Sequence, residues 1–318
     1  MKIAITDYSF PNLEIESRIL EPETELIGGQ CKTSETLIPF VSQADAVITQ
    51  FAPIKAEVIA AMERARVIVR YGIGVDNVDL DAARAKGIPV CNVPDYCIDE
   101  VADQTLAFIL ATTRQVVANS NRVREGKWGL ATSLDQMRAL RDLTVGVVGF
   151  GRIGREVVSR LRAFKCQVFV HDPMVSGSDI EKSGAKSVDL SQLITTSDIV
   201  TLHCPSMAQT RGMINQESLG RMKPGVILIN VARGDLVDSA ALTDALQRKH
   251  VAVAALDVFA PEPIPADHPI LKLDNVIVAS HIASTSVPAV RKLRETAANL
   301  ALMAVRGQPL PNIVNGVK

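Results

Sequence analysis

The sequence predicts an α/β protein of two doubly wound parallel-sheet domains, and three observations carry that expectation. Short apolar runs alternate with amphipathic stretches through residues 1–98, the alternation starts afresh at Thr144, and a three-glycine turn, GFGRIG, follows the first strand of the second set. Strands separated by helical crossovers run parallel and are covered on both faces, so they read as continuous apolar segments. At 318 residues the chain is long enough for two such cores.

In the first set, IAIT, TELIGG, ADAVITQ, ARVIVR and IPVCNV read as strands; LEIESRIL, SETLIPFV, KAEVIAAMERA and DLDAARAKG read as helices. One helix is then expected from Asp99 to about Val117. Asp99 would be its N-cap, acidic residues sit in its first turn where the helix dipole favours them, and LAFILA would be buried on more than one side. From Thr144, TVGVVGF, QVFVHD, DIVTLHC, GVILINV, VAALDVF and NVIVAS read as six strands, the number that two mononucleotide-binding halves require. A last amphipathic helix, from about Pro288 to Gly307, lies too far along to be another crossover and is expected to pack back on the first domain.

Lys plus Arg (34) nearly cancels Asp plus Glu (35), so no global field draws the chain to nucleic acid or to an anionic membrane. The five cysteines (Cys31, Cys91, Cys97, Cys166, Cys204) include no CxxC pair. That suits reduced thiols in a cytoplasm better than disulfides or a metal site. The amino terminus enters a strand without the charged and apolar regions of a signal peptide, and no apolar run nears the roughly 20 residues of a membrane span.

VGVVGFGRIG sets Gly149, Gly151 and Gly154 in G-x-G-x-x-G spacing between a strand and a helix. The first glycine permits a tight turn, the second lets backbone N–H groups approach a pyrophosphate, and the third lets the helix pack closely on the strand. The helix N-terminus adds further donors. Asp172 ends the next strand, 18 residues past Gly154. A carboxylate there accepts hydrogen bonds from ribose hydroxyls and repels a 2′-phosphate, which selects NAD over NADP.

Three later strands end in reactive groups: VILINVARG in Arg233, ALDVFAPEP in Glu262 and VIVASHIA in His281. Ligands of doubly wound sheets bind beyond the carboxyl ends of strands, so these groups are expected on one rim. The set suits a 2-oxo acid. Arginine grips a carboxylate or polarises a carbonyl with its forked donors, histidine exchanges a proton near neutrality, and glutamate orients the imidazole and favours its charged form. In the first domain, RYGIGVDN makes the amides of Ile73 and Gly74 a candidate anion nest, with Arg70 beside it. His203 reads as a wall of the cofactor site, His250 as a cap or solvated group after a basic helix end, and His268 as part of a proline-rich turn. Cys204 has no evident base to make it a nucleophile.

With these residues in view, the chain resembles the D-isomer-specific 2-hydroxyacid dehydrogenase family, which includes phosphoglycerate dehydrogenases and glyoxylate reductases. The likeness runs from about residue 66 to 286 through RYGIGVDNVDLDAARAKGIPVCNVP, DEVADQTLAFIL, VGVVGFGRIG, HDP, LHCPSMAQTRGMIN, MKPGVILINVARGDLVD, ALDVFAPEP and SHIA. It implies a Rossmann NAD-binding domain over 99–287 and a flavodoxin-like substrate domain made of 1–98 and 288–318, with a cleft between them. It also implies a homodimer formed through the central domain and a small 2-hydroxy or 2-oxo acid as substrate. By the resemblance Arg233, Glu262 and His281 match the catalytic trio and Asp257 an acid that contacts the nicotinamide. Arg152, Ile153, Cys204, Pro205, Thr210, Val231 and Ala232 match positions lining the cofactor. Ser280 stands where many members carry proline, and the carboxyl-terminal regulatory domain of longer phosphoglycerate dehydrogenases is not expected after Lys318. A second function class also resembles the chain at IVRYGIGVDN and VCNVP: the NAD-sensing, C-terminal-binding-protein branch. That branch has tryptophan three residues after its histidine, where this chain has Ser284, so the enzyme reading is preferred.

Overall fold

Apolar, largely β-branched runs make the strands of both sheets, because such side chains fit a pleated surface covered on both faces. In a computed structural model that describes residues 1–317, these strands belong to two units, Met1–Tyr96 with 286–317 and Cys97–Thr285. Each boundary falls two residues earlier than the one read from the sequence.

The first unit begins β1 (Lys2–Ile5), α1 (Glu14–Leu20), β2 (Glu25–Gly28), α2 (Ser34–Val41) and β3 (Ala46–Thr49). It continues α3 (Ala56–Ala61), β4 (Ile68–Arg70), α4 (Leu80–Ala85) and β5 (Val90–Cys91). The sheet order β2-β1-β3-β4-β5 is parallel throughout and is the flavodoxin-like one. Alternate residues feed two cores: Ile3, Ile5, Ile48 and Val69 on one face, Ala4, Val47, Ile68 and Val90 on the other.

The second unit opens with α5 (Ile98–Thr113) and α6 (Val116–Arg124). There follow β6 (Thr144–Val148), α7 (Arg152–Ala163), β7 (Gln167–His171), α8 (Gly177–Glu181), β8 (Lys186–Ser187), α9 (Leu190–Thr196) and β9 (Ile199–Leu202). The unit ends with α10 (Gln216–Arg221), β10 (Val226–Asn230), α11 (Ser239–Gln247), β11 (Val251–Leu256) and β12 (Val276–Val278). Its seven parallel strands lie in the order β12-β11-β10-β9-β6-β7-β8, the Rossmann order extended by one strand. The strand missing from the sequence reading is β8, two polar residues on the edge with no apolar run to announce them.

The expected single helix over 99–117 is two helices. Thr112 and Thr113 bond back to the carbonyls of Phe108 and Ile109, and Gln115 takes a φ of 53° between α5 and α6; side chains that compete for backbone groups near a helix end favour such a break. The N-cap is Cys97 rather than Asp99. Asp99 lies inside the first turn, where its carboxylate and that of Asp103 grip Arg160 of α7 at 2.6 and 2.8 Å.

The chain then returns to the first unit as α12 (Val287–Val305), capped by Ser286. Leu293, Ala297 and Ala301 join the core that contains Ile3 and Ile5. Arg294 pairs with Glu16 at 2.5 Å, and their side chains are 6% and 0% exposed; Tyr71 donates to the same carboxylate at 2.9 Å. Removing one partner of a buried pair costs about 3–5 kcal/mol, so this link ties α12 firmly to α1. Among the described residues no helix is long and apolar enough to cross a membrane, and no three His, Cys, Asp or Glu side chains cluster as metal ligands.

Candidate active site

β6 runs into the glycine turn, where Gly149 has a φ of 99°. A Cβ on Gly149 would lie 2.7 Å from the carbonyl carbon of His203, and one on Gly154 would lie 2.1 Å from the oxygen of Gly149. Both positions exclude a side chain. At Gly151 nothing lies within 4 Å of the corresponding point, and this residue caps α7 with no side chain across the helix end. Open space in front of helix N-terminal donors is what a pyrophosphate requires, so these residues fit a dinucleotide. Asp172 is anchored beside the turn: its Oδ2 accepts the N–H of Phe150 at 2.7 Å and its Oδ1 that of Met174 at 2.8 Å.

The other expected cofactor residues follow neighbouring strands. Arg152 and Ile153 begin α7, Cys204 and Pro205 follow β9, and Val231 and Ala232 follow β10. Thr210 closes the loop after β9 by donating to the carbonyl of Pro205 at 2.7 Å. Burial pushes the Cys204 thiol up to about 11, so it carries no thiolate at neutral pH. Burial pushes the His203 imidazole down to about 3; its Nε2 lies 2.9 Å from the hydroxyl of Thr201. His250 meets the carbonyl of Leu219 and His268 caps a short helical turn through Ile270 N–H.

Arg233 stands at the end of a turn organised by Asn230, a residue the sequence reading did not single out. The Asn230 amide donates to the carbonyl of Arg233 at 2.8 Å and accepts the N–H of Ala232 at 3.1 Å. Gly234 follows, and a Cβ there would fall 1.9 Å from the carbonyl carbon of Phe259. The loops after β10 and β11 therefore meet backbone to backbone, and only glycine allows it.

Glu262 lies on the second of these loops. Its Oε1 accepts the N–H of Phe259 at 2.8 Å, and its Oε2 meets His281 Nδ1 at 2.8 Å. Burial alone would raise this carboxyl; the hydrogen bond and charge of His281, helped by Phe259 N–H and the Arg233 cation, outweigh it and hold the group below the usual carboxylate range. An ionised carboxylate only accepts, so Nδ1 carries its hydrogen and Nε2 is the nitrogen left to exchange a proton.

His281 itself has a φ of 57°, a conformation that costs a non-glycine residue about 1–3 kcal/mol. Asp257, buried at the end of β11, holds it there. The Asp257 carbonyl accepts the N–H of His281 at 2.7 Å, while Oδ1 and Oδ2 accept the N–H groups of Ile282 and Ala283 at 2.9 Å each. Burial raises the Asp257 carboxyl despite these bonds. The resemblance assigned this acid to the nicotinamide; within the chain, both of its oxygens fasten the turn that carries His281.

On the first unit, Arg70, Ile73 and Gly74 follow β4. The Arg70 guanidinium folds over Gly72, where a Cβ would sit 1.5 Å from Nη1. The carbonyls of Gly72 and Ile73 accept from Val93 N–H and the Asn92 amide at 3.0 and 2.7 Å. The N–H groups of Ile73 and Gly74 form no hydrogen bond among the described residues, as an anion nest demands.

Fold and geometry together define an NAD-binding α/β protein with an acid–base pair on the rim of its nucleotide-binding sheet. Residues 106–283 match the model of the D-isomer specific 2-hydroxyacid dehydrogenase, NAD binding domain. The chain is 39% identical over 282 residues to a D-3-phosphoglycerate dehydrogenase of Mycobacterium tuberculosis, covering 88% of this chain and 53% of that protein. It is 39% identical over 287 residues to a glyoxylate reductase of Korarchaeum cryptofilum, covering 89% and 86%. The D-lactate dehydrogenase of Aquifex aeolicus, solved with NAD and lactic acid, superposes with a TM-score of 0.91 at 30% identity over 99% of both chains. The chain belongs to the D-isomer-specific 2-hydroxyacid dehydrogenase family. It spans about half the length of the phosphoglycerate dehydrogenases it matches.

Proposed function

We propose that this protein transfers hydride between NAD(H) and a small D-2-hydroxy acid/2-oxo acid pair. The observation that carries the reading is the 2.8 Å contact of His281 Nδ1 with Glu262, on a turn held in a strained conformation by Asp257. When bound, the nicotinamide supplies or accepts the hydride at C2. In the direction of reduction, His281 Nε2 gives a proton to the carbonyl oxygen, and Glu262 stabilises the imidazolium before transfer and keeps the remaining hydrogen on Nδ1 afterwards. Arg233 polarises that oxygen or grips the carboxylate. Ile73 and Gly74 amides, with Arg70, hold the carboxylate on the first unit, and Asp172 binds the adenosine ribose. An acid–base pair of this completeness is needed for turnover and not for NAD sensing.

The test is NADH oxidation against glyoxylate, hydroxypyruvate, pyruvate, phenylpyruvate and 3-phosphohydroxypyruvate. Turnover of at least one is expected; NADH bound with no turnover on any overturns the reading.

We read the protein further as a cytoplasmic homodimer joined through its central domain. Val116, Val117, Val123, Trp128, Leu130 and Leu134 are all exposed within one stretch of the second unit, Trp128 by 89%, and a run of that kind supports a partner surface. Trp128 is the only tryptophan, so dilution of a dimer should red-shift its fluorescence as sedimentation reports dissociation; a monomer at all concentrations overturns this part.

A further inference from the structure

Each donor of the Ile73–Gly74 nest is one end of a peptide unit whose other end is held. A trans peptide is planar, with its N–H and C=O pointing in opposite directions, so fixing a carbonyl fixes the N–H behind it. The Ile73 N–H shares its peptide with the Gly72 carbonyl, which accepts from Val93 N–H at 3.0 Å. The Gly74 N–H shares its peptide with the Ile73 carbonyl, which accepts from the Asn92 side-chain amide at 2.7 Å. Two consecutive residues just past β5 therefore aim both donors. One support is backbone; the other is the side chain of Asn92, a residue only 8% exposed. A carbonyl that accepts a hydrogen bond also polarises its peptide, which makes the N–H on the far side a better donor.

Asn92 is clamped in its turn by the carboxyl-terminal tail. β5 is a two-residue edge strand, and the tail completes it on the open side. Ile313 bridges Cys91 in antiparallel fashion. Val314 N–H donates to the carbonyl of Val90 at 2.9 Å, and Asn92 N–H to that of Asn312 at 3.4 Å. Asn315, fully buried, brackets the start of the strand. Its Oδ1 accepts Val90 N–H at 3.0 Å, its Nδ2 donates to the carbonyl of Ile88 at 2.8 Å, and its own carbonyl accepts Arg84 Nε at 2.7 Å. On the other flank of the nest, Tyr71 N–H donates to the carbonyl of Thr49 at 2.8 Å. Asp7, buried past the end of β1, secures the loop after Thr49 through the N–H groups of Gln50, Phe51 and Ala52 at 2.9, 2.6 and 3.1 Å. A binding group held this way by its supporting shell is pre-organised.

We infer that Asn92 is a positioning residue for the carboxylate of the 2-oxo acid. Without touching the substrate, its amide turns the Ile73–Gly74 peptide so that Gly74 N–H points into the nest, and the tail holds Asn92 in register. The inference rests on the proposed hydride transfer and on the nest as its carboxylate site.

The experiment compares the full-length wild type with Asn92→Ala and Asn92→Leu; leucine is close to asparagine in volume and has no donor. Oxamate, an unreactive mimic of a 2-oxo acid, is titrated into the enzyme with NADH bound and followed by NADH fluorescence. Steady-state rates are measured on whichever 2-oxo acid of the turnover screen is reduced fastest. In both variants the oxamate Kd and the KM for the 2-oxo acid should rise about three- to tenfold, the scale of one lost hydrogen bond. The kcat and the Kd for NADH should change by less than about twofold, as expected when only uniform binding is lost. If Asn92→Ala does not fold, Asn92→Leu is read in the same way. An unchanged oxamate Kd in a folded variant overturns the inference, as does an equal loss of NADH affinity. Wild-type values in Asn92→Leu beside impaired ones in Asn92→Ala also overturn it, because volume rather than the donor would then matter. NADH binding without turnover of any 2-oxo acid overturns hydride transfer, and the inference is then decided by oxamate alone. A wild type that binds NADH but no oxamate overturns the inference.

Discussion

The carboxyl ends of the two sheets are built in opposite ways. On the second sheet the strand ends carry ionisable side chains that act on one another: Glu262 meets His281, and Asp257 fastens the turn that carries the histidine. On the first sheet the acids and cations are mostly paired within the unit, Asp7 on its loop and Arg294 on Glu16 in the interior, Lys292 on Asp95 at the surface. What the first rim presents at the nest is backbone amides and one guanidinium. Under the proposed function, reactive charge is concentrated on the rim where hydride and proton move, and backbone donors on the rim that holds the acid's carboxylate. The two can therefore be disabled separately.

The largest effect is expected on the charged rim. His281→Ala removes the proton donor and should lower kcat by about 10²–10⁴-fold with the fold intact; near-wild-type turnover in a folded variant removes the histidine from the chemistry. Glu262→Gln keeps the size and a hydrogen-bonding oxygen but loses the charge opposite the imidazolium. A hydrogen bond to a charged group contributes about 1.5–3 kcal/mol, so kcat should fall about 10–150-fold. Unchanged kcat in the folded variant would make Glu262 a packing residue only.

A change at Asp172 tests the nucleotide end of the same sheet and should be milder. Asp172→Ala deletes the acceptor expected to face the ribose and also frees the Phe150 N–H. The KM for NADH should rise about tenfold, and discrimination against NADPH should shrink, since repulsion of a 2′-phosphate is lost. Unchanged preference would locate cofactor choice elsewhere.

Much of this was legible in the sequence where the determining groups are close together in the chain. The glycine turn, the acid ending β7 and the reactive residues after β10, β11 and β12 all follow an apolar run within a few positions, so periodicity alone places them at a rim. What was not legible depends on closure over distance. Asp257 reaches Ile282 and Ala283 across 25 and 26 residues, and Asp7 reaches Phe51 across 44; nothing local distinguishes these acids from solvated strand-end carboxylates. Asn230 was readable in principle, being a lone amide at the end of an otherwise apolar strand, VILIN. The break after Thr113 was hidden because Thr112, Thr113 and Gln115 continue an acceptable helical pattern, and only the hydroxyl-to-carbonyl bonds and the left-handed Gln115 reveal it.

The smallest effect concerns stability and comes from His203, which stands behind the glycine turn on the charged sheet. Its imidazole is neutral in the folded protein, with burial depressing the pKa to about 3 from an ordinary 6.5. The unfolded chain therefore binds the proton first as pH falls. Stability supplied by this residue is whole above about 6.5, declines through the window below it, and is exhausted near 3. Thermal unfolding of the wild type should show Tm falling from pH 6.5 towards 4 with uptake of up to one proton from this source. His203→Gln keeps a polar group near Thr201 but cannot titrate, so its Tm should fall less steeply across the same window even if it starts lower. Parallel Tm curves for the two proteins would mean that His203 takes up its proton as readily folded as unfolded, and that the space behind Gly149 is wetter than its burial indicates.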